Sequence, residues 1–329
     1  MPNYSRRSFL NSSLLAAAAL SLKSNAFGSV INGGDEAPQE GYRNPVVKPQ
    51  ICIFSKHLHW ISDYYEMASF AADLGFDGID LTVRKNGHVS PERVKEDLPR
   101  AKTSIEKAGL KVHMLTTDIV ATSSFTEDIL KTAAGLGIPS YRMGWIPYKP
   151  DAAIPEQIKS VSSQLATLAA MNKKYGIRGE YQNHSGTNFG ASVWDIWLAI
   201  KDIDPRYLGC QFDILHATVE GANSWKNDLK LLKDYIQTID IKDFHWENNE
   251  GKWGIKKVPL GSGMVNFKNY FSLIKQYGIT GPLSMHFEYP LGGAESGSRK
   301  LSISRQEAAD AMKKDLNKLK EILKEAGLI

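Results

Sequence analysis

GEYQNHSG (Gly179–Gly186) and QFDILH (Gln211–His216), one α/β unit further on, decide the fold. The first reads as a short strand that ends in an amide, an imidazole and a glycine. The second reads as a strand that ends in Asp-x-x-His. Polar, ligand-grade side chains at the ends of two successive strands are the signature of a site at the mouth of a (βα)8 barrel, where functional residues come from the C-terminal ends of different strands.

Working outward, the same unit repeats along the chain. Predicted strands fall at Pro49–Ser55, Gly78–Val83, Lys111–Leu115, Ser140–Met143, Ile177–Asn183, Leu208–Asp213, Thr238–Lys242 and Pro282–Phe287. Amphipathic segments between them stop at Leu74-Gly75, Ala108-Gly109, Leu136-Gly137, Tyr175-Gly176 and Tyr277-Gly278. A glycine just past a helix closes it with a positive φ. Ser90-Pro91 reads as a cap before a first-turn proline, and Ser304-x-x-Glu307 as a capping box before a long last helix. Strands alternating with helices predict parallel βαβ units and an α/β fold, a single (βα)8 TIM barrel over residues 49–329. The chain has 329 residues, 42% of them apolar, and one barrel of about 250 residues accounts for that length without a second domain.

The N-terminus carries a different message. Ser5-Arg-Arg-Ser-Phe-Leu10 precedes an apolar run, Leu14–Leu22, then Lys23 and a small-x-Ala end at Ala26. These are the parts of a secretion signal, and the paired arginines resemble a twin-arginine signal. Residues 1–26 are expected to be that signal, removed near Ala26 after passage through the twin-arginine export machinery to the periplasm. Residues 27–48 are expected to be a linker. The apolar run falls short of the roughly 20 residues that span a bilayer, so no membrane anchor is expected. Of the net charge of +4, three units belong to Arg6, Arg7 and Lys23. A nearly neutral mature chain offers no electrostatic case for nucleic acid. The two cysteines, Cys52 and Cys210, fall in strands and read as buried apolar residues.

Strand alternation sorts the inward side chains. Glu180, Gln182 and His184 share a face, as do Gln211 and Asp213 with His216 just beyond. Asp240 and Lys242 share one on the seventh strand, and Ser284, His286 and Glu288 one on the eighth. Polar groups inside a barrel are costly unless paired or bound to an ion. Four successive strands with such residues at their ends mark a site. Asp213 and His216 suit a divalent ion, and Arg84 and Arg142 suit clamps on hydroxyl or carbonyl groups. Lys242, between Asp240 and Asp243, reads as an electrophile or as a structural ion pair. Two glycine-rich loops, Leu260–Gly263 and Gly292–Gly297, stand where many barrels hold phosphate, but phosphorylated sugars are scarce outside the cytoplasm.

These motifs resemble the xylose-isomerase-like barrel superfamily: sugar isomerases and epimerases, inosose dehydratase and the endonuclease IV group. The resemblance spans roughly residues 48 to 326. Gln182-Asn183-His184-Ser185-Gly186 matches that group's Glu-Asn-(His/Thr)-x-Gly, and Asp213-Ile-Leu-His216 matches its Asp-x-x-His. Asp240-Ile-Lys242-Asp243 stands at its His-x-Lys-Asp, Pro259–Gly263 at its Pro-Leu-Gly-x-Gly, and Glu288 at its last-strand Glu. The resemblance implies one divalent ion (Mn, Zn, Mg or Co) at Gln182, Asp213, Asp240 and Glu288. Two of the usual ligands are replaced, a Glu by Gln182 and a His by Asp240. Glu180 and His245 stand nearby in the sequence as substitutes.

The expected function is an exported sugar isomerase or epimerase acting on an unphosphorylated sugar or keto-sugar, by removal of a proton next to a carbonyl. Glu180, His184, His216 and Lys242 are the expected catalytic residues. Arg84, Arg142, Asn183, His245 and His286 are the expected substrate contacts. A keto-sugar lyase or hydratase needs the same first step, and a non-catalytic periplasmic sugar binder is the alternative outside enzymes. A histidine-rich three-metal nuclease centre of the endonuclease IV kind is not recoverable from these residues.

Overall fold

A computed structural model describes residues 48–329. The expected signal, residues 1–26, and all but the last residue of the expected linker lie outside the described residues. Eight strands close into a parallel barrel in chain order. They are β1 (Ile51–Phe54), β2 (Gly78–Val83), β3 (Lys111–Thr117), β4 (Ser140–Arg142), β5 (Arg178–Gln182), β6 (Leu208–Asp213), β7 (Ile236–Ile241) and, after a hairpin, β10 (Leu283–Met285), which pairs with both β7 and β1. The outer layer is α1 (Tyr64–Leu74), α2 (Val94–Lys107), α3 (Ser124–Gly135), α4 (Ile154–Tyr175), α5 (Val193–Ile200), α6 (Ile214–Gly221), α7 (Trp225–Leu232), α8 (Phe267–Gln276) and α9 (Arg305–Glu325).

All eight expected barrel strands are present, with ends shifted by at most two residues. Helix starts follow local chemistry. Asp63 accepts from Glu66 N to cap α1, Ser123 accepts from Thr126 N to cap α3, and Ser304 with Glu307 forms the expected capping box on α9. Ser90 departs from its expected role: its hydroxyl bonds Glu92, and a 3-10 turn, Pro91–Arg93, precedes α2. Cys52 and Cys210 are buried and free, as read from the sequence.

Two features position the site and are not read from strand patterning. The first is a register shift between β6 and β7. Cys210 pairs with Ile236, but Gln211 pairs with Thr238, so Gln237 is the extra residue. A bulge moves every later side chain by one place. Here it brings Asp213 level with Asp240. The second is an antiparallel hairpin, β8 (Asp243–Asn249) with β9 (Lys252–Val258), which rises directly from the end of β7. Its turn places Glu250 and Gly251 at φ 53° and 85°. Two successive left-handed residues make a type I′ turn, normally announced by Asn-Gly or Asp-Gly. Glutamate at the first position hides the turn in the sequence.

Candidate active site

The C-terminal ends of β5, β6, β7 and β10 converge on one buried polar cluster. Register sets its layers. Gln182 stands opposite Gln211, and Asp240 is flanked by Asp213 on one side and Ser284 on the other. Asp240 accepts from Gln211 Nε2 at 2.8 Å and from the Gln182 amide, and lies 3.2 Å from His286 Nε2. Gln182 is held at both ends. Its oxygen accepts from Arg142 Nη1 at 2.8 Å, and its Nε2 donates to Asp213 Oδ2 at 3.0 Å.

Lys242 occupies the centre. Its ammonium lies 3.0 Å from Asp213 Oδ2 and 3.6 Å from Glu288 Oε2, and the lysine side chain is only 3% exposed. Glu288 also meets Lys56 at 3.3 Å and Lys257 of the hairpin. Burial alone would raise the Asp213 and Glu288 carboxyls, but the Lys242 charge, with neighbouring cations and histidines, holds both below the ordinary range. Burial would lower Lys242, and Asp213, Glu288 and Asp240 together raise it above its ordinary value. Lys242 therefore remains an ammonium at neutral pH. Two of its three protons face carboxylates, which leaves one for a ligand.

Two imidazoles stack beside it. The rings of His184 and His216 are 3.8 Å apart, and Trp145 covers His184 at 4.6 Å. Burial, then the Lys242 charge, push His184 down to about 4 and His216 well below its ordinary value. Both are neutral at physiological pH. His184 Nδ1 lies 2.9 Å from the Ser185 carbonyl oxygen, which can only accept. The proton therefore sits on Nδ1 and the lone pair on Nε2. His216 is anchored by Ser185 Oγ at 2.8 Å, and Asp213 caps its backbone N–H, so the Asp-x-x-His motif is a helix cap as well as part of the cluster.

Other expected site residues lie elsewhere or do other work. Glu180 is one layer deeper. Its carboxylate accepts from Thr238 N at 3.1 Å and from the Thr238 hydroxyl, with Arg178 at 4.0 Å, and makes no hydrogen bond or ion pair with Lys242 or its carboxylate partners. Asn183 uses its amide to bond Asp213 N at 2.8 Å and Asp213 O at 2.9 Å, locking β5 to β6. His245 stands on the hairpin opposite Lys256. His286 stacks on Phe54 at 4.5 Å, and Arg84 and Arg142 approach the same ring. Asp243 accepts from the amides of Phe244, Gly261, Gly263 and Val265, and Glu295 accepts from Leu291 and Gly293. Both glycine loops thus spend amides on carboxylates of the chain itself, which leaves no phosphate cradle there.

Sequence reading missed Lys56, Trp145 and Lys257. Lys56 follows β1, another barrel strand end, and that position was its only signal. Burial lowers it to about 8 despite Glu288. Lys257 lies on the unpredicted hairpin, and Trp145 in the loop after β4.

The xylose isomerase-like TIM barrel model matches residues 68–322. The chain belongs to that family. An uncharacterized protein of Methanocaldococcus jannaschii is 27% identical over 144 residues, which is 43% of this chain and 47% of that protein, so the match spans about half of the relative. D-allulose 3-epimerase from Methylomonas sp. superposes with a TM-score of 0.61 at 17% identity, over 84% of this chain and 99% of that one. 3-Keto-D-glucoside 4-epimerase from E. coli gives 0.60 at 15%, over 83% and 100%. A xylose isomerase-like barrel from Mycobacterium smegmatis, solved with magnesium, gives 0.60 at 14%, over 84% and 96%.

The four positions that the family resemblance gives to a metal do come together in this chain, but their donors do not fit a divalent ion. Gln182 aims N–H groups, not oxygen, at Asp213 and Asp240. The Lys242 ammonium stands between Asp213 and Glu288. A hard cation needs oxygens turned inward. Among the described residues no group of three or more His, Cys, Asp or Glu side chains is arranged as a metal site.

Proposed function

We propose that this protein is a sugar epimerase or isomerase that acts on an unphosphorylated sugar or keto-sugar, exported to the periplasm through the twin-arginine pathway. One observation carries the reading. A neutral imidazole, His184, follows β5, and an ammonium of lowered pKa, Lys56, follows β1, two strands that are diametrically opposed in the barrel. A fixed ammonium, Lys242, lies between them. Epimerisation needs a proton removed from one face of a carbon and returned to the other.

His184 Nε2 takes the proton next to the carbonyl. The free N–H of Lys242 donates to the carbonyl oxygen and stabilises the enediolate as its charge develops. Lys56, protonated at neutral pH, returns a proton to the opposite face. His216 supports His184 by stacking, and Trp145 covers the sugar ring. Arg142 fixes the Gln182 amide and through it both carboxylates. No step is routed through a metal, because the donor set described above presents protons where an ion would need oxygens. The likeness to two sugar epimerases supports the fold side of this reading, and the Arg6-Arg7 motif supports the export side.

Incubation of the protein from Phe27 onward with a 3-keto-glucoside and with free ketoses in D2O tests it. Deuterium at one carbon with no loss of water or of an alcohol supports epimerisation or isomerisation. Loss of water or of an alcohol assigns the lyase or hydratase instead, and binding without exchange assigns a sugar binder.

A further inference from the structure

Beside the cluster lies a second cavity of about 450 Å³, lined among others by Lys56, His59, Arg84, Lys85, Asp118 and Arg299. That volume falls within the range of small-molecule sites. Its charge is lopsided. Four cations line it against one carboxylate, Asp118, which makes no ion pair among the described residues. Lys56 is paired with Glu288, and the other three cations, of which Lys85 and Arg299 are exposed, make no ion pair among the described residues. Arg299 spends its guanidinium on the neutral carbonyls of His59, Asn86 and Gly87. Arg84 is half-buried, and among the described residues its guanidinium has neither an ion pair nor a hydrogen bond. Lys56, Arg84 and Arg142 all stand 5.4–5.6 Å from the centre of one ring, Phe54. The ring face offsets part of that repulsion. Burial, then the Arg142 charge, disfavour the charged form of Arg84, against the smaller pull of Asp118 and Asp80. An excess of cations around a half-buried arginine that makes no ion pair among the described residues favours an anion.

We propose that this cavity holds an anionic substituent of the sugar, so that the substrate is a sugar acid rather than a neutral sugar. The inference rests on the epimerase reading and adds the substrate class. Lys56 belongs to both cavity and cluster, so the charged end of a hexose-sized acid lies in the cavity while its carbonyl lies at Lys242. A carboxylate and a phosphate ester share the required chemistry. The planar guanidinium of Arg84 suits either, and the filled glycine loops supply no amide cradle for a phosphate.

The test is calorimetric titration of the mature protein with D-glucuronate, D-glucose 6-phosphate and D-glucose, in parallel with deuterium exchange on each sugar. The charged sugars are expected to bind at least tenfold tighter than glucose, with a preference that shrinks as salt rises. Glucuronate above the phosphate ester assigns a carboxylate, and the reverse assigns a phosphate. Arg84→Gln is expected to erase the preference without lowering the melting temperature, since Arg84 makes no hydrogen bond to lose. Equal affinity for glucose and glucuronate overturns the inference, as does an undiminished preference in Arg84→Gln. Exchange on glucose without preference for the acids keeps the epimerase reading and sinks the inference. Tight acid binding with no exchange on any sugar does the opposite. Failure of all three sugars to bind overturns both.

Discussion

The ammonium of Lys242 lies 3.0 Å from the carboxylate of Asp213, and neither side chain is more than 3% exposed. This pair reverses the effect that a cluster of carboxylates alone would have on stability. Carboxylates gathered for a cation repel one another, so removing one should relieve strain. With an ammonium already between them, removal of Asp213 leaves a buried charge without its nearest partner. Asp213→Ala is expected to cost about 3–5 kcal/mol in urea unfolding. Unchanged or increased stability would show that Lys242 is not engaged there.

Lys242→Met should also destabilise the protein, but its more telling effect is on metal. With the ammonium gone, Asp213, Asp240 and Glu288 present oxygen to an empty centre. The variant is expected to bind one Mn2+ and to recover part of the lost melting temperature when it is added. Wild type is expected to show no shift. The double variant Gln182→Glu, Lys242→Met adds a fourth oxygen ligand and should bind tighter still, by tenfold or more, about 1.4 kcal/mol. Gln182→Glu alone is expected to be unstable. It loses the amide donor to two carboxylates and adds a third negative charge.

Glu180 supplies a pH test. Burial raises its carboxyl to about 7, against the pull of Arg178 and Thr238. A carboxyl whose folded pKa is raised binds its proton more tightly in the folded state. Its contribution is therefore present below the unfolded pKa and is lost as pH rises through about 7. Glu180→Gln keeps an oxygen for Thr238 and has nothing to ionise. The variant should gain stability relative to wild type at pH 8, by roughly 2–3 kcal/mol, and little at pH 4. It should retain sugar deuterium exchange, because the carboxylate is engaged by Thr238 and makes no contact with Lys242.

Stability at acid pH follows the opposite sign. Asp213 and Glu288 have folded pKa values below their unfolded ones, and so do His184 and His216. For all four the unfolded chain binds protons first. Stability is expected to fall as pH drops from about 6.5 through 4, the histidines contributing first and the carboxylates below. Denaturant titrations between pH 7 and 3 check this, and a flat profile would contradict the neutral imidazoles.

Asp243 holds the loop after β9. Asp243→Ala leaves the Gly261, Gly263 and Val265 amides without their acceptor, and hydrogen exchange at these three positions should speed up markedly. Gly263→Ala should fail similarly, because a Cβ there would lie 2.2 Å from Asp243 Oδ1.

For export, Arg6→Lys with Arg7→Lys is expected to leave uncleaved precursor in the cytoplasm. Normal periplasmic accumulation would count against the twin-arginine reading.

Much of the barrel was legible because its signals are local. Glycines after helices and alternation within strands gave all eight strands, and strand ends gave the cluster at Gln182, Asp213, Asp240, Lys242, Glu288 and His286. What was not legible depended on partners far apart in sequence. Alternation put Glu180 on the inward face but could not show that Thr238 engages its carboxylate. Asn183 was read as a substrate contact, and only the fold shows its amide closed on Asp213. The hairpin escaped because Glu250 takes a left-handed position usually left to Asn or Asp. Lys242 was recognised, yet whether it served as an electrophile or a structural ion pair depended on Asp213 and Glu288, from two other strand ends, both reaching its ammonium.

The central claim is that Lys242 supplies the positive charge for proton abstraction from a sugar. It is tested most directly by deuterium incorporation into a keto-sugar by chelator-stripped wild type and by Lys242→Met. The account predicts full exchange in the stripped wild type and a loss of at least a thousandfold in Lys242→Met. Exchange that vanishes with the chelator and returns on adding a divalent ion to wild type would contradict it.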